Sequence, residues 1–181
     1  MESRWQSDCE DEDVTTEKAN LVLQQAKDRL ESTIDHSDSL DNKTIVLLPV
    51  LITLITALLG FITTQYDPKL KFISQHWFVL GPMIILVTFF CIAAWQLSSN
   101  LKPMDYEPAG KTPKNLAKKQ LLKLSDALMI FCEAESYQPR IEKNDAANEV
   151  KASRISDCLK TVKWGFLATM ITYLVFIYLY S

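Results

Sequence analysis

Three runs without a single charged side chain decide what this chain can fold into. The first, TIVLLPVLITLITALLGFITT (44–64), lies in a charge-free interval between Lys43 and Asp67. The second is WFVLGPMIILVTFFCIAAWQL (77–97), and the third runs from Trp164 to Tyr180. About twenty apolar residues in a helix cross the roughly 30 Å of hydrocarbon in a bilayer. Soluble cores seldom supply three such segments, so the expected fold is an all-α integral membrane protein with three transmembrane helices. Whole-chain averages of 48% hydrophobic and 23% charged residues conceal this, because nearly all the charge lies outside the runs. The first run follows more than forty residues that include an acidic segment. That is unlike a cleaved signal peptide, and the run is expected to stay in the mature protein.

Aromatic rings fall at the borders: Trp77 and Trp95 flank the second run, Trp164 opens the third, and Tyr178 and Tyr180 end it. Such rings favour the membrane–water interface. Five Lys and Arg precede the first span, two (Lys69, Lys71) lie between the first and second, and twelve lie between the second and third. Basic residues stay on the cytoplasmic side. The expected protein is therefore multi-pass in the cell (inner) membrane, with its N-terminus and long loop cytoplasmic and its C-terminus extracytoplasmic.

The divisions expected from these patterns are an acidic disordered tail (1–16), a cytoplasmic helix leading into the membrane (17–43), spans at 44–64, 77–97 and 164–181, an extracytoplasmic loop (65–76), and a cytoplasmic loop with a helical hairpin (98–163). Upstream of span one, Leu23, Ala26, Leu30, Thr33, Ile34, Ser37 and Leu40 come close to a heptad with no Gly or Pro among them, which suits an amphipathic helix running straight into the membrane. Lys102 to Pro113 is rich in breakers. Asn115 to Tyr137 then places Ala117, Leu121, Leu124, Leu128 and Phe131 on one face. Gln138-Pro139 reads as a turn, and Ile141, Asn148, Ala152, Ile155, Leu159 and Val162 continue at helical spacing into span three. These helices bury their stripes against one another or against other copies, as a cytoplasmic bundle in a symmetric homo-oligomer. Asn144 and Asn148 lie on or beside the third stripe. There they either fix register between chains as buried amides or face water.

No enzyme motif is present: there is no Gly-rich nucleotide loop, H-E-x-x-H or G-x-S-x-G, and His36 and His76 are expected on opposite sides of the membrane. Acid–base work needs convergent groups in a pocket, so no catalytic residue and no cofactor are assigned. Cys9, Cys91, Cys132 and Cys158 are isolated and fit neither a disulfide framework nor a zinc site.

Span one is more informative. At 100° per residue Pro49, Thr53, Thr56, Gly60 and Thr63 fall within an arc of about 80°. Leu48, Ile52, Ile55, Leu59 and Ile62 cover another side that suits lipid. Continued toward the cytoplasm, the same line takes in Glu31, Asp35, Asp38 and Asn42. A hydroxyl-lined face above an acidic vestibule of Asp35, Asp38 and Asn42 suits a narrow pore in a symmetric oligomer. Small residues also let membrane helices pack closely, with Thr hydroxyls bonding back to their own helix. Both readings stay open. No acidic or basic residue lies within any span, which argues against a proton- or ion-coupled transporter.

A second feature is basic: Lys111, Lys114, Lys118, Lys119 and Lys123 occur within thirteen residues without an acid, although the chain is net −3. Near a helix start, such a cluster suits the phosphates of a nucleotide or short nucleic acid, with Tyr106 as a stacking face. Anionic lipid headgroups attract the same charges.

The order of parts resembles a known family. A polar helix entering span one (IDHSDSLDNKTIVLLP), a second span ending in SNLKPMDYEPAGKTPKNL, and a hairpin carrying EAESYQPRIEKNDAANEVKASRI before a final span are similar to the small bacterial membrane effectors of nucleotide-signalling antiphage defence. These include the Pycsar-type and SLATT-type transmembrane effectors and the Hailong channel subunit. The resemblance covers residues 20–181. It implies an oligomeric membrane protein controlled by a cyclic nucleotide or short oligonucleotide, made by a partner nucleotidyltransferase or cyclase, whose opening depolarises the infected cell. The chain departs from many such effectors in having no separate nucleotide-binding domain, so a ligand would have to bind the cytoplasmic helices. A membrane-anchored scaffold that recruits a protein partner through those helices, with no pore, is the competing expectation.

Overall fold

The computed structural model describes residues 15–65, 77–102, 104–107 and 125–180. Every element among them is helical: α1 (Thr16–Gln65), α2 (Trp77–Ser98) with a 3₁₀ turn at its end (Ser99–Leu101), α3 (Asp126–Glu135) and α4 (Gln138–Tyr180). Three helices, those containing the apolar runs, are long and apolar enough to cross a membrane, which is compatible with a multi-pass membrane protein. Contacts divide the chain into two compact units. A polar unit takes the residues up to Ser39 with Met104–Val150, and an apolar unit takes Leu40–Pro103 with Lys151–Ser181.

In the polar unit, α1 turns Ala19, Leu30, Thr33 and Ser37 inward, and Leu23 and Ala26 pack against Leu30, Tyr137 and Ile141. The spacing alternates between three and four residues, which keeps one side of a long helix facing its partners. Helix α3 starts at an N-cap: Ser125 is extended, and its hydroxyl accepts from the Leu128 amide at 3.4 Å. Of the helix expected over Asn115–Tyr137, the described residues form Asp126–Glu135, with Ser125 outside it as the cap. The inward face of α3 is Ala127 and Ala134, with Leu128 and Phe131 half-buried; Ala117, Leu121 and Leu124 lie outside the described residues. The turn before α4 falls at Ser136-Tyr137, two residues earlier than the Gln138-Pro139 pair suggested. Pro139 sits in the first turn of α4, where a missing amide leaves no helical bond unmade.

In the apolar unit, Leu40 and Leu51 of α1, Phe90, Ala93 and Leu97 of α2, and Ile155 and Cys158 of α4 form the core. Leu48 and Ile55 pack against it, so the side of span one expected to meet lipid is in part internal. Helices α2 and α4 approach closely where glycine removes a side chain. A Cβ on Gly165 would stand 2.7 Å from the Phe89 Cβ, and one on Gly81 would stand 3.2 Å from the Phe176 ring. Phe90 and Phe166 meet edge to face between them, at 5.6 Å. Outside this core the helices expose Ile84, Ile92, Phe166, Met170, Leu174 and many other apolar side chains.

Candidate functional site

The α1 face singled out above is the side of the helix that the described residues leave open. Pro49, Thr53, Thr56, Gly60 and Thr63 are all exposed, as are Asp35, Asp38 and Asn42. They stand about 170° around the helix from the inward-facing Leu40, Thr44, Leu47 and Leu51. Helix α1 runs through Pro49 without interruption, although proline withdraws the amide that would bond the Ile45 carbonyl. Each threonine on this face donates its proton to its own helix: Thr53 to the Pro49 carbonyl at 2.9 Å, Thr56 to Ile52 at 2.9 Å, and Thr63 to Gly60 at 2.8 Å. A hydroxyl whose proton is committed backwards presents outward only its oxygen lone pairs. The row is thus a line of acceptors, a surface that favours cations and bound water over anions.

Inside the polar unit, the two asparagines are buried and hydrogen-bonded to other segments of the same chain. Asn144, fully buried, donates to the Thr33 hydroxyl at 3.2 Å and to the Glu107 carbonyl at 3.3 Å, and accepts from the Glu107 amide at 3.0 Å. Asn148 donates to the Thr33 carbonyl at 2.8 Å and accepts from the Tyr106 hydroxyl at 2.9 Å. Two amides on α4 therefore tie both α1 and the segment Met104–Glu107. The Tyr106 hydroxyl is engaged in this network. The Lys143 ammonium, 2.7 Å from Glu107, bonds to its carboxyl and lowers the pKa below the usual glutamate range; the same bond raises that of Lys143.

The apolar unit carries a polar layer that sequence reasoning missed. Lys151, buried, holds both carboxylate oxygens of Asp41. Its carbonyl accepts from the Asn100 amide at 3.1 Å, and that amide also reaches the Thr44 hydroxyl at 3.4 Å. The Asn100 carbonyl oxygen is buried without a partner among the described residues. Arg154 bonds the carbonyl of Ser99, the first residue of the 3₁₀ turn, at 2.9 Å. The available signal was spacing: Ile141, Asn144, Asn148, Lys151, Ile155 and Cys158 form one alternating series, and all are buried. Choosing by apolarity instead selected Ala152 and Leu159, of which Leu159 is exposed.

The basic cluster Lys111, Lys114, Lys118, Lys119 and Lys123 lies outside the described residues. Among those described, no group of three or more His, Cys, Asp or Glu side chains converges as a metal site. Next to Arg29, which pairs with Asp145 at 3.2 Å, a groove in the polar unit is lined by Val22, Ala26, Phe131, Ala134 and Ile141, with Gln25, Glu135 and Gln138 at its polar edge.

No protein-family model, curated protein or solved structure matches the chain. The resemblance to antiphage effectors therefore rests on the quoted segments alone.

Proposed function

We propose that this chain is one subunit of an oligomeric membrane ion channel, an effector of antiphage defence whose opening depolarises the cell. In this reading the α1 face of Pro49, Thr53, Thr56, Gly60 and Thr63 lines the pore, with Asp35, Asp38 and Asn42 at its cytoplasmic mouth. The observation that carries it is the set of back-bonded threonines on the exposed side of α1. Their outward lone pairs suit partial replacement of a cation's hydration shell. Acids at the mouth would concentrate cations in the same place. The signal is a cyclic nucleotide or short oligonucleotide from a partner nucleotidyltransferase or cyclase, held by Lys111, Lys114, Lys118, Lys119 and Lys123. The N-terminus is cytoplasmic and the protein resides in the inner membrane. It is not an enzyme.

Purified protein in a planar bilayer tests this directly. Single-channel currents are expected, and Thr53→Leu or Thr56→Leu should lower the cation conductance by removing acceptor oxygens from the lumen. A bilayer that stays silent across cyclic dinucleotides, cyclic mononucleotides and short oligoadenylates counts against the channel. For the signal, Lys114→Glu with Lys118→Glu should abolish nucleotide binding in calorimetry.

The groove of Val22, Phe131 and Ile141 favours a second reading. A membrane-anchored scaffold would seat a partner's apolar helix there. Phe131→Asp would then abolish capture of the partner while the threonine substitutions changed nothing.

A further inference from the structure

We propose that a second copy of this chain packs in parallel against α1, along a seam centred on Asn42, Val46, Pro49 and Thr53, with Asp38 of one copy paired to Lys43 of the next. The inference rests on the same assignment of the α1 face as the channel reading and adds how copies meet around it: in a ring of parallel helices the a and d residues face the central axis, and the flanking e and g residues meet between neighbours.

Spacing carries the first step. From Asn42 onward the exposed face reads Asn42, Val46, Pro49, Thr53, Thr56, Gly60, Thr63, an unbroken alternation of four and three. This is the a/d series of a coiled-coil heptad. The flanking e and g positions, Lys43, Ile45, Val50 and Ile52 among them, are exposed as well. The chain's own core uses the opposite side of the same helix, through Leu40, Thr44 and Leu51. One long helix thus carries two seams of equal period, and the described residues occupy one of them.

Charge supplies the second step. In this heptad Asp38 is at g and Lys43 is at the following e. Residues five apart are not neighbours on one helix, and the ion pairs among the described residues include neither side chain. Between parallel helices, however, a g residue meets the e residue five positions on in the partner. An acid and a base are therefore placed where a parallel copy would pair them, at the cytoplasmic end of the seam.

Depth supplies the third. Asn100 touches both Thr44 and the Lys151 carbonyl, so these residues of α1 and α4 stand at one level. The apolar run of α4 begins only at Trp164, thirteen residues further, about 20 Å along a helix. Over that interval α4 exposes Asp157, Lys160 and Lys163, with Asp157 and Lys160 paired at 3.0 Å. At the same levels α1 exposes Ile45, Val46 and Val50. Lipid tails covering those three would also meet the charges of α4. A protein partner covers the α1 face alone, and a contiguous exposed apolar patch beside solvated charge is the mark of such a contact.

Charge reversal tests the pairing. Asp38→Lys alone and Lys43→Asp alone should each weaken the assembly, raising its dissociation constant by about tenfold. The double variant should restore it, as read by native mass spectrometry from detergent. Both side chains are exposed, so folding of the single chain is not at stake. Independently, Val46→Cys in a background with Cys9, Cys91, Cys132 and Cys158 changed to serine should form a disulfide between copies under mild oxidation. A wild-type protein that is monomeric, or single reversals that leave the oligomer intact, overturns the proposal. Bilayer recordings of the same proteins separate the two readings: an intact, charge-swap-dependent oligomer without conductance sinks the channel and upholds the interface.

Discussion

Lys151 grips Asp41 through both carboxylate oxygens, at 2.6 and 2.7 Å, while its own side chain is only 4% exposed and that of Asp41 is 39% exposed. The pair is therefore lopsided: the ammonium has lost its water, whereas the carboxylate keeps much of its own. Removing the partner of a buried charge costs about 3–5 kcal/mol when both are buried. The partial exposure of Asp41 lowers the expectation for Asp41→Asn to about 2 kcal/mol. Lys151→Met should be milder, because an apolar side chain of similar size removes the desolvation cost and leaves a carboxylate that water can reach. Thermal unfolding in detergent should rank wild type above Lys151→Met, and Lys151→Met above Asp41→Asn. The opposite order would show that the ammonium is better solvated than its burial indicates.

The three described glycines make a graded series. At Gly165 an added methyl meets the Phe89 Cβ at 2.7 Å, an atom fixed to its backbone. Helices α2 and α4 would have to separate, and overpacking of this kind costs about 1–3 kcal/mol. At Gly81 the obstacle is the far edge of the Phe176 ring at 3.2 Å, which can give way. At Gly60 nothing lies within 4 Å. Alanine should therefore be most damaging at Gly165, weaker at Gly81 and close to neutral for the single chain at Gly60, as measured by unfolding of detergent-solubilised protein. A larger loss at Gly60 than at Gly81 would contradict the packing.

How much of this was legible depended on whether polarity carried information. Along the first part of α1 it did: Leu30, Thr33, Ser37 and Leu40 stand out from charged neighbours, and all four face inward. Within span one the sides other than the threonine row are all apolar, so hydropathy could not tell an inward side from a lipid side. Leu48 and Ile55 were assigned outward and instead pack on the core. The threonine, proline and glycine row differs in chemistry from its surroundings, which is why it could be picked out, and it is exposed. On α4 the buried series contains Asn144, Asn148 and Lys151. A lysine there is intelligible only once Asp41 is known to face it, and that pairing joins residues 110 apart in sequence. The spacing was visible from the start, but the reason to trust it over apolarity was tertiary.

Glu107 and Lys143 give the polar unit a pH-dependent tie. The carboxyl, lowered by the Lys143 hydrogen bond, contributes stability above the usual glutamate range, and that contribution is lost as pH falls through its lowered folded value. Lys143 is shifted the opposite way by the same bond. Its contribution is complete below the usual lysine range and disappears as pH rises through the raised folded value. The tie should thus hold across neutral pH and be lost at both extremes. Both side chains are well exposed, so salt should weaken it. Carbon-detected titration of the Glu107 carboxyl should give a midpoint below that of a free glutamate, and Lys143→Met should return it to the ordinary range. The backbone tie from Asn144 to Glu107 would persist in that variant. Amide exchange at Glu107 should therefore stay slow after Lys143→Met and become fast after Asn144→Ala, which separates the charge from the buried amide as the anchor of this segment.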